Sequence, residues 1–126
     1  MENSLAFIIE DDNNLSLAYS EAITEAGYQT KMIRNGRDAL KMLGTMQPKL
    51  VILDLNLPIV HGVEILKYIR SDERLKNTRV IITSADDHIA ETLHDSADIV
   101  LVKPVAYDQL RDLASRLLNP VVKNKL

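Results

Sequence analysis

The sequence predicts a doubly wound α/β sandwich, a five-stranded parallel sheet in the order 2-1-3-4-5 layered between five helices. Three observations predict it. Short apolar runs without alternation recur at Leu5-Ala6-Phe7-Ile8-Ile9, Leu50-Val51-Ile52-Leu53, Val80-Ile81-Ile82 and Ile99-Val100-Leu101-Val102, the pattern of strands covered on both faces. Segments with apolar residues at three- and four-residue steps stand between them, and right-handed crossovers then make the sheet parallel. The run Tyr28 to Ile33 is the most polar (Gln29, Lys31), which suits an edge and selects this order.

Taken in order, the first strand ends in Glu10-Asp11-Asp12, and Asp12, Asn13 or Asn14 caps the first helix. In that helix Leu15, Ala18, Ala22 and Ala26 form the expected inward face, and Gly27 sits just past its end. After the second strand, Asn35-Gly36 turns the chain into a short helix, Arg37 to Leu43, with Ala39, Leu40 and Leu43 inward. The central strand ends at Asp54. Pro58 and Gly62 punctuate the next loop, and Val63, Leu66, Tyr68 and Ile69 mark a third helix whose charged tail, Arg70 to Thr78, is expected to be solvated. The fourth strand ends at Ser84-Ala85, with Asp86 or Asp87 capping a short helix through Leu93. The fifth ends at Lys103-Pro104, and the last helix packs Tyr107, Leu110, Ala114 and Leu117 before Asn119-Pro120 stops it.

Composition narrows the function. The chain has 126 residues and no cysteine, which excludes disulfides, thiolate metal sites and cysteine nucleophiles. A net charge of −3 without a basic block, and only five Phe and Tyr residues together, leave no footprint for nucleic acid. No stretch approaches the ~18 apolar residues that span a bilayer, and Met1-Glu2-Asn3-Ser4 is not a secretory start. The expectation is one cytoplasmic domain over 1–126, with its core at about 4–119 and a short tail at 120–126.

The strand ends converge. The first gives Glu10, Asp11 and Asp12, the third Asp54, the fourth Ser84 and the fifth Lys103. All lie on the sheet edge where open α/β folds bind ligands, and strands one and three flank the switch point. Two carboxylates ~4 Å apart repel by about 4 kcal/mol at an effective dielectric of 20, so raised pKa values or a cation must relieve them. Oxygen ligands without His or Cys favour Mg²⁺. A metal, a lysine, a hydroxyl and one central carboxylate suit phosphoryl chemistry, with the carboxylate as nucleophile. Each residue alone has a plainer reading, since acids and serines after strands often only cap helices. The histidines His61, His88 and His94 are expected at the surface.

The chain resembles the receiver domain of two-component response regulators, a CheY-like fold with flavodoxin-like strand order. The residues that carry the resemblance are Glu10-Asp11, Asp54-Leu55-Asn56-Leu57-Pro58 with Gly62, Ser84-Ala85, and Lys103-Pro104. The resemblance implies that Asp54 accepts a phosphoryl group from a histidine kinase or histidine phosphotransfer protein. It implies a Mg²⁺ held by Asp11, Asp54 and the Asn56 backbone carbonyl, with Glu10 acting through water. Ser84, with the Ala85 amide, would bond the phosphoryl group, and Lys103 would pair with its oxygens. Asn56 and Asp86 occupy positions that tune its lifetime, and downstream proteins would read the face of helix four, strand five and helix five.

Four departures fall in that face. Val100 stands where the family carries an aromatic, Ser96 where it carries Gly, and Val105 where it carries Phe. The Ser84–Lys103 interval is also short, which predicts a fourth helix about a turn short. Phosphorylation is then expected to be intact and its readout atypical. Three rivals remain. A haloacid-dehalogenase-like phosphatase would need a carboxylate at position 56 and room for a cap. A flavodoxin-like module would not place Glu10-Asp11-Asp12 against a phosphate. A receiver-fold docking module independent of phosphorylation ranks above those two. No separate turnover reaction is expected.

Overall fold

The computed structural model describes residues 4–118. The chain runs β1 (Ser4–Ile9), α1 (Asn13–Glu25), β2 (Tyr28–Ile33), α2 (Gly36–Leu43), β3 (Leu50–Asp54), α3 (Gly62–Ser71), a 3₁₀ turn (Glu73–Leu75), β4 (Arg79–Ser84), α4 (Ile89–Leu93), β5 (Ile99–Val102) and α5 (Tyr107–Leu118). The sheet order is β2-β1-β3-β4-β5, and every neighbouring pair is parallel. The expected stop at Asn119-Pro120 and the tail lie outside the described residues.

The sheet divides two cores. On one face Phe7, Ile9, Val51, Leu53, Val80 and Ile82 meet α2, α3 and α4 through Ala39, Leu43, Ile65, Ile69 and Leu93. On the other, Ala6, Ile8, Leu50, Ile52, Ile81 and Leu101 meet α1 and α5 through Tyr19, Ala22, Ile23, Leu110 and Ala114. Successive strand residues point to opposite faces, so both sides of β3 are apolar and all five of its residues are buried. Helices α1 and α2 start on side-chain oxygens: Asp12 Oδ1 accepts from Leu15 N at 2.9 Å, and Asn35 Oδ1 from Asp38 N at 2.8 Å. Gly27 follows α1 at φ +114, a conformation closed to most side chains.

Four local expectations are corrected. The inward face of α1 is Ser16, Tyr19, Ala22 and Ile23, while Ala18 is exposed. The alanines suggested a face rotated by about one residue because Ser16 hides the apolar period. The stretch from Arg70 to Thr78 is not a solvated tail, since Leu75 and Thr78 are buried. Arg70 there donates to Ser96 O at 2.6 Å and Thr78 O at 2.9 Å. Neither Asp86 nor Asp87 is the N-cap of α4; His88 is, and Asp86 Oδ1 accepts from His88 N at 2.9 Å. Tyr107 is exposed, and its hydroxyl donates to Glu25 Oε1 at 3.0 Å. The fourth helix has 5 residues, as short as the interval required. His61, His88 and His94 are all exposed.

Candidate functional site

Strand alternation carries the charged side chains of the site to one face. Glu10 follows Ile8, Asp54 follows Ile52 and Lys103 follows Leu101, all on the side packed by α1 and α5. Two backbone bonds extend the ladders past the strand ends and fix the outer pair, Glu10 N to Ile33 O at 3.0 Å and Lys103 N to Ser84 O at 2.7 Å. Leu55 N bonds Thr83 O at 3.1 Å, which holds the chain just beyond Asp54.

Carboxylate oxygens of Glu10, Asp11 and Asp54 lie within 4.8 Å of one another. Glu10 is 1% and Asp54 2% exposed, whereas Asp11 faces solvent. Lys103 Nζ stands 3.2 Å from Glu10 Oε1 and 3.4 Å from Asp54 Oδ1. Asp54 Oδ1 also accepts from Asn56 N at 3.1 Å, and Glu10 Oε2 from Asp12 N at 3.2 Å. One ammonium is therefore shared by the two buried acids of a three-carboxylate cluster. Burial, with repulsion from Asp54, pushes the Glu10 carboxyl up to about 7 against the Asp12 amide and Lys103. Burial pulls the Lys103 ammonium down, but Asp54 and Glu10 hold it above its ordinary value.

The structure thus brings Glu10, Asp11, Asp54 and Lys103 together. Ser84 is buried at the end of β4, where its Oγ accepts from Asp86 N at 3.0 Å rather than bonding an acid. Asn56 is exposed in the loop after β3. The donor set fits a hard divalent cation: oxygens only, close enough to share an ion, with excess negative charge.

The sequence marks Gly62 only as a loop and motif position, and it does not single out Thr83 as a neighbour of the site. A Cβ on Gly62 would lie 2.6 Å from Asp54 O and 2.6 Å from Leu55 Cα, so only glycine lets α3 start against the Asp54 backbone. Thr83 pairs in register with Asp54, and its only signal was a hydroxyl at the end of an aliphatic run.

The model of the response regulator receiver domain matches residues 6–115. The chain belongs to that family. This receiver is 33% identical over 121 residues to sporulation initiation phosphotransferase F of Bacillus subtilis, covering 94% of the chain and 96% of that protein. It is 32% identical over 98 residues to the transcriptional regulatory protein AfsQ1 of Streptomyces coelicolor, covering 78% of the chain and only 44% of that longer protein. Among solved structures, the response regulator TrrA of Thermotoga maritima in complex with Mg(2+)-BeF superposes with a TM-score of 0.80 at 29% identity, covering 90% of the receiver and 98% of that chain. Receivers are signalling domains of two-component systems. Among the described residues no helix is long and apolar enough to cross a membrane.

Proposed function

We propose that this receiver carries a phosphoryl group on Asp54, taken from the phosphohistidine of a histidine kinase or histidine phosphotransfer protein. The observation that supports it most is the Lys103 ammonium 3.4 Å from Asp54 Oδ1, beside carboxylates clustered within 4.8 Å. An Asp54 oxygen attacks the phosphorus, the P–O bond forms as the P–N bond breaks, and the imidazole nitrogen keeps the electron pair and takes up a proton. Lys103 turns from the acids to the phosphoryl oxygens, Ser84 with the Ala85 amide bonds another, and the Asn56 amide orients the attacking carboxylate. Asp11, Asp54 and the Asn56 carbonyl would hold Mg²⁺, with Glu10 acting through water. Bound there, the ion would neutralise charge developing on the transferring group.

The acyl phosphate is a signal rather than a turnover product, and the chain acts as one domain over 1–126 in the cytoplasm. Downstream proteins read α4, β5 and α5. With Val100 half-buried on β5 and α4 only 5 residues long, that readout proceeds without an aromatic switch. Comparing the free and beryllofluoride-bound forms tests this, and an α4–β5 repacking like that of aromatic-bearing receivers would refute it. The reading as a whole is tested by intact-mass spectrometry with acetyl phosphate and Mg²⁺. Wild type should gain one phosphoryl group and Asp54→Ala none; no gain in either favours a docking module independent of phosphorylation.

A further inference from the structure

Strand β4 reads Arg79-Val80-Ile81-Ile82-Thr83-Ser84 and is buried from Val80 onward. Thr83 is 0% exposed, and its Oγ1 has no hydrogen-bond partner among the described residues. A valine has the same shape without an orphaned hydroxyl, and native chains keep few such groups without a reason. Ser16 Oγ and Tyr19 OH are orphaned as well, but they belong to α1. Thr83 stands in the sheet itself, beside the central carboxylate.

Register and alternation fix that place. Thr83 is abreast of Asp54 on β3 and of Leu101 on β5. Asp54 comes two residues after Ile52, Thr83 two after Ile81 and Lys103 two after Leu101, so all three point to the side packed by α1 and α5. Neighbouring strands lie about 4.8 Å apart, which makes the Thr83 and Asp54 side chains adjacent. Of the two residues abreast of Thr83, Asp54 alone carries a side-chain acceptor. Strand β4 lies between β3 and β5, yet Lys103 Nζ comes within 3.4 Å of Asp54 Oδ1. The lysine stem therefore crosses β4 on the face that Thr83 shares. In this resting arrangement Asp54 Oδ1 is already served by Asn56 N at 3.1 Å and by the ammonium.

That balance changes during phosphoryl transfer. As Lys103 turns to the phosphoryl oxygens, the charge on the Asp54 carboxyl loses its cation while the bond to phosphorus forms. Hydrolysis meets the same need. Water oxygen bonds the phosphorus, the Asp54 carboxylate leaves with the electron pair, and the water protons stay with the inorganic phosphate. A hydrogen bond made only at that stage stabilises the transition state and not the resting state, so it speeds both steps.

We propose that Thr83 is a further donor for this reaction: its hydroxyl gives a hydrogen bond to the Asp54 carboxyl group while Lys103 is engaged with the phosphoryl group. This rests on the phosphoacceptor reading of the site. The methyl group of Thr83 packs as a valine methyl does, and the hydroxyl alone serves the carboxylate.

The test compares the full wild-type chain with Thr83→Val, which removes the hydroxyl and keeps the shape, and Thr83→Ser, which keeps the hydroxyl and removes a methyl. Thr83→Val should melt no lower than wild type, because no resting hydrogen bond is lost. Thr83→Ser should melt lower, because a buried methyl is gone. The rates should run the other way. With acetyl phosphate and Mg²⁺, Thr83→Val should be phosphorylated, and after removal of the donor dephosphorylated, about five- to tenfold more slowly, the worth of one hydrogen bond. Thr83→Ser should keep both rates near those of wild type, and all three chains should bind Mg²⁺ alone with similar affinity by NMR titration. Rates that follow the melting order, with serine slower than valine, assign Thr83 to packing and overturn the proposal. Unchanged rates in Thr83→Val, or a lowered melting point there, overturn it too. A wild type that gains no phosphoryl group overturns the phosphoacceptor reading itself, so the two failures are distinguishable.

Discussion

Lys103 donates to Glu10 Oε1 across 3.2 Å, joining the ends of β5 and β1 although β3 and β4 lie between them in the sheet. The lysine reaches back over the sheet edge and over Asp54, which it meets at 3.4 Å. A single cation is thereby shared by two buried carboxylates. Such a pair holds the lysine over the acceptor before any phosphoryl group arrives, and the same contact leaves the acids under-neutralised.

The pH dependence of the metal-free chain follows from Glu10. Its carboxyl is raised from 4.5 to about 7 in the fold, so between those values the folded chain holds a proton that the unfolded chain releases. Stability from this group is full below about 4.5 and is lost as pH rises through about 7. Melting temperature measured in EDTA from pH 5 to 8 should fall more steeply for wild type than for Glu10→Gln. Parallel slopes would contradict this.

Gly62→Ala should damage both fold and site. Its Cβ would meet Asp54 O and Leu55 Cα at 2.6 Å, so the backbone that carries Asp54 must move. Overpacking of this kind costs about 1–3 kcal/mol. Urea denaturation should show that loss, and intact-mass kinetics should show slower phosphorylation at temperatures where the variant is folded.

Ile59 holds φ +70 and is 70% exposed. A left-handed conformation costs an L-residue about 1–2 kcal/mol, and this side chain recovers little by burial. Ile59→Gly relieves the backbone but adds freedom to the unfolded chain, worth about 0.5–1 kcal/mol. A net gain of up to about 1 kcal/mol is expected in the denaturant midpoint; a net loss would show that the side chain packs usefully.

Arg70 ties α3 to the turns before β4 and β5, through Ser96 O, Thr78 O and Asp98 Oδ2 at 2.6, 2.9 and 3.1 Å. Arg70→Ala should cost about 1–3 kcal/mol in chemical denaturation. Arg70→Lys should recover only part of it, because an ammonium lacks the planar fork that spans three acceptors. Full recovery by lysine would reduce the contact to charge alone.

The sheet was legible because four of its strands are short apolar runs, and β2 and β5 begin and end at the residues expected for them. The strand-end residues were legible for the same reason, since alternation decides which side chains share a face. The inward face of α1 was not, because a buried serine, Ser16, and the hydroxyl-bearing Tyr19 interrupt the apolar period there. Nor was the role of Arg70, whose acceptors are backbone carbonyls that only the fold brings near. Lys103 was expected to face phosphoryl oxygens, and its resting contact with Glu10 could not be read from spacing. Which carboxylate an ammonium meets depends on a path across two intervening strands.

The most direct measurement is to treat the chain with acetyl phosphate and Mg²⁺, reduce the product with borohydride and map the peptides by mass spectrometry. Reduction converts an aspartyl phosphate to homoserine, and homoserine at position 54 alone is the expected result. Homoserine at Asp11 or Asp12, or none anywhere, would contradict a phosphoryl carrier built on Asp54.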